Sequence, residues 1–381
     1  MNSTPDTDYW HTLVHPVDEL PFLPFGKRDA QWNPDMVATG HRLIAAYKAT
    51  LAQEGRLKQI TDEDLWSALI RENLGQLLDL IGANDAEGLT RYLTDFGKEY
   101  TWFGGITTGV DGYTYWNLKE DFVAYSYFDK LLCLAEALGV LSAESPEQGA
   151  GGKWGQNRLL QPEAVVDAVE AQLGISIVPP EGPMHVAGLS IRGGILHYRH
   201  INALYLATRI RDISAPDDWI CEFGGGIGLA AFYLNRMGRK NVTIFDLPIV
   251  NLLSGFFLIG MLGHDAVCLE GEEQREGAIR LRANWNCANE PAKRFRVVAN
   301  QDSFPEINRR IFDEYVAQIK RVCSEYLLSI NHEGEQMISG AARHLHVSRI
   351  LSADPSFRRI FRSPYWLRKG YVEELYRVET A

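Results

Sequence analysis

Apolar residues change their spacing about half-way along this chain. From Asp35 onward, Met36, Val37, Leu43, Ile44, Tyr47 and Leu51 recur at the interval of one helix face. A second helix is predicted to open at Thr61-Asp62-Glu63-Asp64, with Thr61 capping and Asp64 at the third helical position. Leu65, Leu69, Leu74, Leu77, Leu78 and Ile81 continue it towards Gly82. A third helix is expected over 118–141 and a fourth over 162–173, from Pro162 to just before Gly174. A fifth begins in Leu196-His197-Tyr198-Arg199-His200-Ile201 and runs to about Ile213.

Beyond Trp219 short apolar runs alternate with helical ones. Strands are expected at 219–223, 242–245, 295–299 and 326–330, with shorter β-like pieces at 266–269 and 279–283. Helices are expected at 229–237, 248–262, 305–322 and around 335–345, and two β-like runs, 358–362 and 372–378, close the chain as a hairpin. Strand-helix alternation predicts a parallel sheet covered on both faces. The longest apolar stretch, Ile249 to Gly263, contains Asn251 and Ser254 and is too short to cross a bilayer, so it reads as a buried helix.

The expected organisation has three parts. Residues 1–34 carry Pro5, Pro16, Pro21, Pro24 and Pro34 and form an extended arm. Residues 35–184 form a mainly helical N-terminal or lid domain, and residues 185–381 an α/β Rossmann-like domain. Two glycine-rich stretches interrupt the helical half, at 100–116 and 148–155. The first places Trp102, Tyr113 and Trp116 either in a buried hairpin or where they can stack on a sugar face.

Charge and cysteine content narrow the function classes. The 49 acidic and 38 basic residues give a formal net charge of -11, which argues against a nucleic-acid partner. The cluster Arg358, Arg359, Arg362, Arg368 and Lys369 reads as a solvated face. Five scattered cysteines without C-x-x-C spacing indicate neither a zinc site nor a disulfide framework, and suit a reducing compartment. The first residues lack the basic and apolar regions of a signal peptide. A cytoplasmic protein with no membrane partner is expected.

The densest chemical signal is Ile220-Cys-Glu-Phe-Gly-Gly-Gly-Ile-Gly-Leu-Ala-Ala231. An acid ends a strand, four glycines follow within five residues, and a helix begins. Glycines let the backbone approach a ligand, and the new helix presents unpaired N–H groups. Asp246 then stands at the tip of the next strand, where a carboxylate can accept from both hydroxyls of a ribose. The dinucleotide pattern is also satisfied, by Gly226, Gly228 and Ala231, so a nicotinamide-dependent oxidoreductase is the rival reading. Glu222 favours the first: a carboxylate beside the glycines repels a pyrophosphate and attracts the amino group of a methionine moiety.

Three segments, Glu222 to Gly228, Phe245-Asp-Leu-Pro248 and Asn300-Gln-Asp-Ser-Phe-Pro-Glu-Ile307, resemble the sugar O-methyltransferases of bacterial polysaccharide loci, within the class I methyltransferase superfamily. The resemblance covers about residues 185–381. It implies an S-adenosylmethionine cofactor, with Glu222, Gly224, Gly225, Gly226 and Gly228 at its methionine part. It further implies Asp246 and Leu247 at ribose and adenine, and Asn300 beside the sulfonium. The segment from Asp265 to Asn289 is longer than the pattern, and Glu270 and Glu272 are the candidates in it for reading the adenine.

Methyl transfer to a hydroxyl needs alignment, exclusion of water and a base or metal ion. Acceptor-side residues are expected at the C-terminal strand tips. That selects His332 as general base, with Asp302 and Glu306 beside it. These three also suit a divalent ion by residue type, although no tight spacing motif joins them. Asp302 and Glu306 read equally well as helix-cap acids, and His332 as a turn histidine. Tyr198, Arg199 and His200 are either contacts to cofactor or acceptor, or the polar side of a packing helix. The function these features specify is O-methylation of a small hydroxylated acceptor such as a sugar. The alternatives are the oxidoreductase and a catalytically inactive binding protein of the same fold.

Overall fold

The computed structural model describes residues 13–53, 65–98, 106–109, 119–145, 147, 155–335, 337–339 and 342–379. They form two compact units. One gathers described residues from 1–30, 95–205 and 366–369; the other gathers 31–94, 206–365 and 370–381. This partition differs from the boundaries expected at residues 34 and 184.

In the first unit, β1 (Phe25–Arg28) pairs antiparallel with β2 (Val186–Ile191), which turns back into β3 (Gly194–Leu196). Of the expected arm, which is described from residue 13 onward, Phe25–Arg28 is a paired strand. The helix Glu120–Ala137 is buried from Val123 to Ala135, including Asp129 and Lys130. The helix Pro162–Leu173 has the bounds its punctuation predicts: Pro162 opens it, and Gly174, at φ 72°, closes it in the left-handed conformation.

The second unit is built on an eight-stranded sheet. Its strands are β4 (Ile220–Phe223), β5 (Val242–Asp246), β6 (Val267–Cys268), β7 (Ile279–Ala283), β8 (Phe295–Gln301), β9 (Cys323–His332), β12 (Phe357–Pro364) and β13 (Tyr371–Val378). The order across the sheet is β12-β13-β9-β8-β4-β5-β7-β6. β13 runs antiparallel to both its neighbours, and all other pairings are parallel. This is an α/β Rossmann-like domain. Its parallel strands bring the C-terminal tips of β4, β5, β7, β8 and β9 to one edge.

Alternation along the strands divides the chemistry between the two faces. Phe223 and Phe245 enter an aromatic core with Phe295, Phe304, Phe312 and Tyr376. Glu222 pairs with Ile244, two residues before Asp246, so Glu222 and Asp246 share the opposite face.

Residues 31–94 pack with this sheet. The helix Met36–Leu51 lies against the helix Pro248–Leu262 where Gly255 permits close approach: a Cβ there would stand 2.7 Å from Leu43 Cδ2. Arg42 locks the contact with two bonds of 2.7 Å to Glu272, from Nε to Oε1 and from Nη2 to Oε2. The first helix of the expected N-terminal domain is therefore an outer layer of the Rossmann-like unit.

Three expected elements take another form. The helix predicted up to Gly82 is broken at Leu74, giving Leu65–Asn73 and Gly75–Gly82, because Gly75 is a poor helix interior. Its predicted start at Thr61 to Asp64 lies outside the described residues. The helix expected from Pro305 is a single 3-10 turn, Phe304–Glu306; the true helix, Arg309–Val322, is capped by Asn308, whose Oδ1 accepts the Arg310 amide at 2.9 Å. The helix expected around 335–345 is replaced by β10 (Met337–Ser339) paired with β11 (Ala342–Arg343). Gly334 and Gly340 leave too short a run between them for a helix, and the helix Val347–Ala353 follows, capped by His346. The stretches 100–116 and 148–155 lie largely outside the described residues.

Candidate functional site

The turn after β4 is shaped by glycines that no other residue replaces without strain. Gly224, Gly226 and Gly228 have φ of 72°, 58° and 87°. At Gly224 a Cβ would stand 2.1 Å from Ser303 Oγ, so this glycine also makes room for the loop after β8.

Both sides of the turn are held. Asp246 Oδ2 accepts the Gly226 amide at 3.0 Å, and Oδ1 accepts the Leu247 amide at 2.7 Å. Ser254, from the helix 248–262, donates to the Gly226 carbonyl at 2.6 Å. From the other side Asn300 Nδ2 donates to the Phe223 carbonyl at 2.8 Å and to Ser303 Oγ at 2.5 Å. Asn300 is fully buried, and its Oδ1 in turn accepts from Asn331 Nδ2 at 2.9 Å. Its amide therefore fixes the strand tip that leads into the glycines.

Glu222 lies beneath this turn. It is 5% exposed, and its Oε2 is buried without a hydrogen-bond partner, 3.2 Å from where a Gly225 Cβ would be. Burial and the neighbouring Asp246 push its carboxyl up to about 8. Burial likewise raises Asp246 to about 7, against the pull of its two amide donors. Two carboxyls at adjoining strand tips thus lack a cation. A ligand carrying positive charge and N–H or O–H donors supplies what they lack.

Further along the edge, two amide oxygens are also buried without partners, on Asn251 and Asn284. Asn251 is oriented by its own Nδ2, which donates to the Arg282 carbonyl at 2.9 Å. It lines a partly open pocket with Tyr47, Leu252, Leu269, Glu270 and Leu281. Of the two acids expected to read the adenine, Glu270 lines this pocket, with its Oε2 accepting from Ala283 N and Asn286 Nδ2, whereas Glu272 is turned away to hold Arg42. Asn251 had a visible signal, as one of two polar residues in an apolar helix; the other, Ser254, holds the glycine turn. Asn284 follows β7 as Leu247 follows β5, a positional cue.

The acceptor-side residues sit at the same edge in different states. Asp302 follows β8 with φ 69°, an uncommon conformation for a non-glycine residue, and donates its N–H to the Ile330 carbonyl at 3.0 Å. Glu306 ends the 3-10 turn after it. His332 ends β9, and its Nδ1 accepts the Gly334 amide at 3.1 Å. In the neutral ring that places the proton on Nε2. Its ring packs edge-on against His344 and Tyr371. Among the described residues, His332, Asp302 and Glu306 do not converge as metal ligands do. Tyr198, Arg199 and His200 belong to the first unit, where His200 is buried and held neutral, its imidazole pushed down to about 3 by burial and Arg28.

No protein-family model matches the chain, and no curated protein matches it. Solved structures overlap about half of it. A glycopeptide N-methyltransferase in complex with S-adenosylhomocysteine is 17% identical, covering 46% of this chain and 88% of its own, at a TM-score of 0.36. The geranyl diphosphate C-methyltransferase of Streptomyces coelicolor is 11% identical over 48% of this chain and 80% of its own, at 0.36. The magnesium protoporphyrin IX methyltransferase of Synechocystis, with bound S-adenosylmethionine, is 12% identical over 47% and 77%, at 0.32. At scores this low the likeness carries no assignment of chemistry. No helix among the described residues is long and apolar enough to cross a membrane.

Proposed function

We propose that the chain is an S-adenosylmethionine-dependent methyltransferase acting on a hydroxyl of a small acceptor such as a sugar. One observation carries this: Glu222 Oε2 is buried without a partner under the glycine turn, beside a second buried carboxyl, Asp246. A pyrophosphate placed there adds negative charge to a site already short of cations, which disfavours the nicotinamide cofactor. An ammonium group and a sulfonium relieve the same shortage.

The residues present fit that cofactor. Glu222 takes the amino group of the methionine part, and the glycine turn admits its backbone. Asp246, steadied by the Gly226 and Leu247 amides, keeps lone pairs for ribose hydroxyls. Leu247 and the cavity beside Asn251 take the adenine, whose exocyclic amine donates to Asn251 Oδ1. Asn300 acts through the backbone: by holding Phe223 and Ser303 it sets the angle of the strand tip from which the turn departs.

When bound, the cofactor supplies a methyl group already activated by positive sulfur. The chain's part is to hold the acceptor in line, exclude water and take the hydroxyl proton. Of the three residues named for that proton, Asp302 is best presented. His332 already spends its Nδ1 lone pair on Gly334, whereas Asp302 is held in a strained conformation at the strand tip. His332 then borders the acceptor, and Glu306 closes the loop behind Asp302.

A methyl-labelled cofactor offered with a panel of sugars and other alcohols tests the assignment. Transfer of label to a hydroxyl is the expected result. Cofactor binding without transfer to any acceptor is the result a binding protein of this fold would give.

A further inference from the structure

The first unit contains a cluster that the proposed chemistry does not use. Asp129, Cys133 and Glu136 lie at i, i+4 and i+7 on the helix Glu120–Ala137, which puts all three on one face. His15 reaches them from the N-terminal arm, more than a hundred residues away in sequence. Its Nδ1 is 2.9 Å from Asp129 Oδ1, and its Nε2 is 3.0 Å from Glu136 Oε1. Cys133 is a free, fully buried thiol that also bonds to the His15 ring. One ligand atom each from His15, Asp129 and Cys133 lies within 4.8 Å of the other two.

We infer that His15, Asp129 and Cys133 form a zinc site that fastens the N-terminal arm to this helix. Imidazole, carboxylate and thiolate together select zinc among the common divalent ions. The outer contacts are those a metal-bound histidine requires. The ring nitrogen facing Asp129 is Nδ1, and the other nitrogen is turned to a carboxylate, Glu136, which fixes the ring. Glu136 is itself held by Asn157 Nδ2 at 2.8 Å. The arm is docked independently of the ion: Asp129 accepts the Val14 and His15 amides, and Tyr125 donates to the His15 carbonyl at 2.6 Å. A ligand set that the backbone already presents costs little reorganisation to fill.

Charge also balances. With Asp129 and Glu136 as carboxylates, His15 as imidazolium and Lys130 beside them, the cluster is neutral. One Zn²⁺ replacing the imidazolium proton and the thiol proton leaves it neutral, so neither state strands a net charge in the interior. Cysteine spacing hides such a site, because a single cysteine supplies the sulfur and the histidine comes from a distant segment.

Cobalt provides the test. The reduced full-length protein, stripped of metal, is titrated with Co²⁺ and followed in the near ultraviolet, and Zn²⁺ is then added in competition. One equivalent of Co²⁺ giving a thiolate charge-transfer band, displaced by Zn²⁺ and missing from Cys133→Ser, is the expected result. Glu136→Gln keeps the band with affinity lowered about 10- to 100-fold. If Cys133→Ser does not fold, His15→Gln takes its place as the variant that must lose the band. A folded, reduced parent that gives no thiolate band, or a band that survives in those variants, overturns the site.

Discussion

Asp246 and Gly226 are joined by a 3.0 Å hydrogen bond, in which a strand-tip carboxylate accepts the amide at the centre of the glycine turn. The same carboxylate lies beside Glu222, whose Oε2 has no partner. The turn is therefore shaped by an acid that leaves its neighbour short of a cation. This arrangement has a thermodynamic signature.

Both carboxyls titrate higher in the folded chain than in the unfolded one, at about 8 and about 7. Between about pH 4 and pH 8 these two groups bind more protons in the folded state, so their contribution to stability falls as pH rises. His200, held neutral by burial, acts oppositely below about pH 6.5. The comparison is therefore with Glu222→Gln. Thermal unfolding of the parent relative to this variant should weaken from pH 5 to pH 8.5, and a saturating cationic cofactor should flatten the difference. Equal slopes for both proteins would show that Glu222 is not buried as a shifted acid.

How far the sequence reveals this site depends on which residue is asked about. Pro162, Gly174, Pro248 and the alternation around β4 and β5 mark their elements because each has a local physical meaning. The register that sets Glu222 and Asp246 on one face follows from the same alternation. What is hidden depends on distant partners. His332 stands at a strand tip as expected, but the Gly334 amide that occupies its Nδ1 is a tertiary detail of a turn whose expected helix is a hairpin. Glu270 and Glu272 are acids of the right kind in the same segment, yet only Glu270 lines the pocket, because Arg42 draws Glu272 away. Residues 35–94 pattern as part of a helical domain over 35–184 because amphipathic spacing shows that a face is buried and not against what.

Gly224→Ala should disable the turn. A left-handed conformation costs a non-glycine residue roughly 1–2 kcal/mol, and the new methyl group collides with Ser303 Oγ. S-adenosylhomocysteine affinity is expected to fall at least about 10-fold, with a lower melting temperature. Ser303→Gly in the same chain removes the collision and leaves the backbone cost, so recovery is partial. Unchanged affinity in the single variant would place the ligand elsewhere.

Asn251→Leu tests the adenine contact. Losing one hydrogen bond is worth about 0.5–1.5 kcal/mol, which is roughly 2- to 13-fold in the dissociation constant. The parent should bind S-inosylhomocysteine, which has no exocyclic amine, more weakly than S-adenosylhomocysteine by a similar factor. The variant should bind the two alike. Discrimination that persists in Asn251→Leu would move the adenine contact to another residue, with Asn284 the next to test.

For the acceptor proton, Asp302→Ala is expected to lower kcat by about 10²–10⁴-fold while cofactor affinity holds. His332→Ala should lower it less, since the ring borders the acceptor and does not take the proton. Single-turnover rates at saturating cofactor separate the two. A larger loss in His332→Ala, with activity falling as pH drops through the histidine range, would return the base to the imidazole.

The central claim is that a buried pair of carboxyls under a glycine turn selects a cationic nucleoside cofactor over a dinucleotide. Calorimetric titration of the full-length protein with S-adenosylmethionine, S-adenosylhomocysteine and NAD measures this directly. The account predicts saturable one-to-one binding of the first two, weakened in both Glu222→Gln and Asp246→Ala, and no binding of NAD. Tight binding of NAD with none of S-adenosylhomocysteine would contradict it.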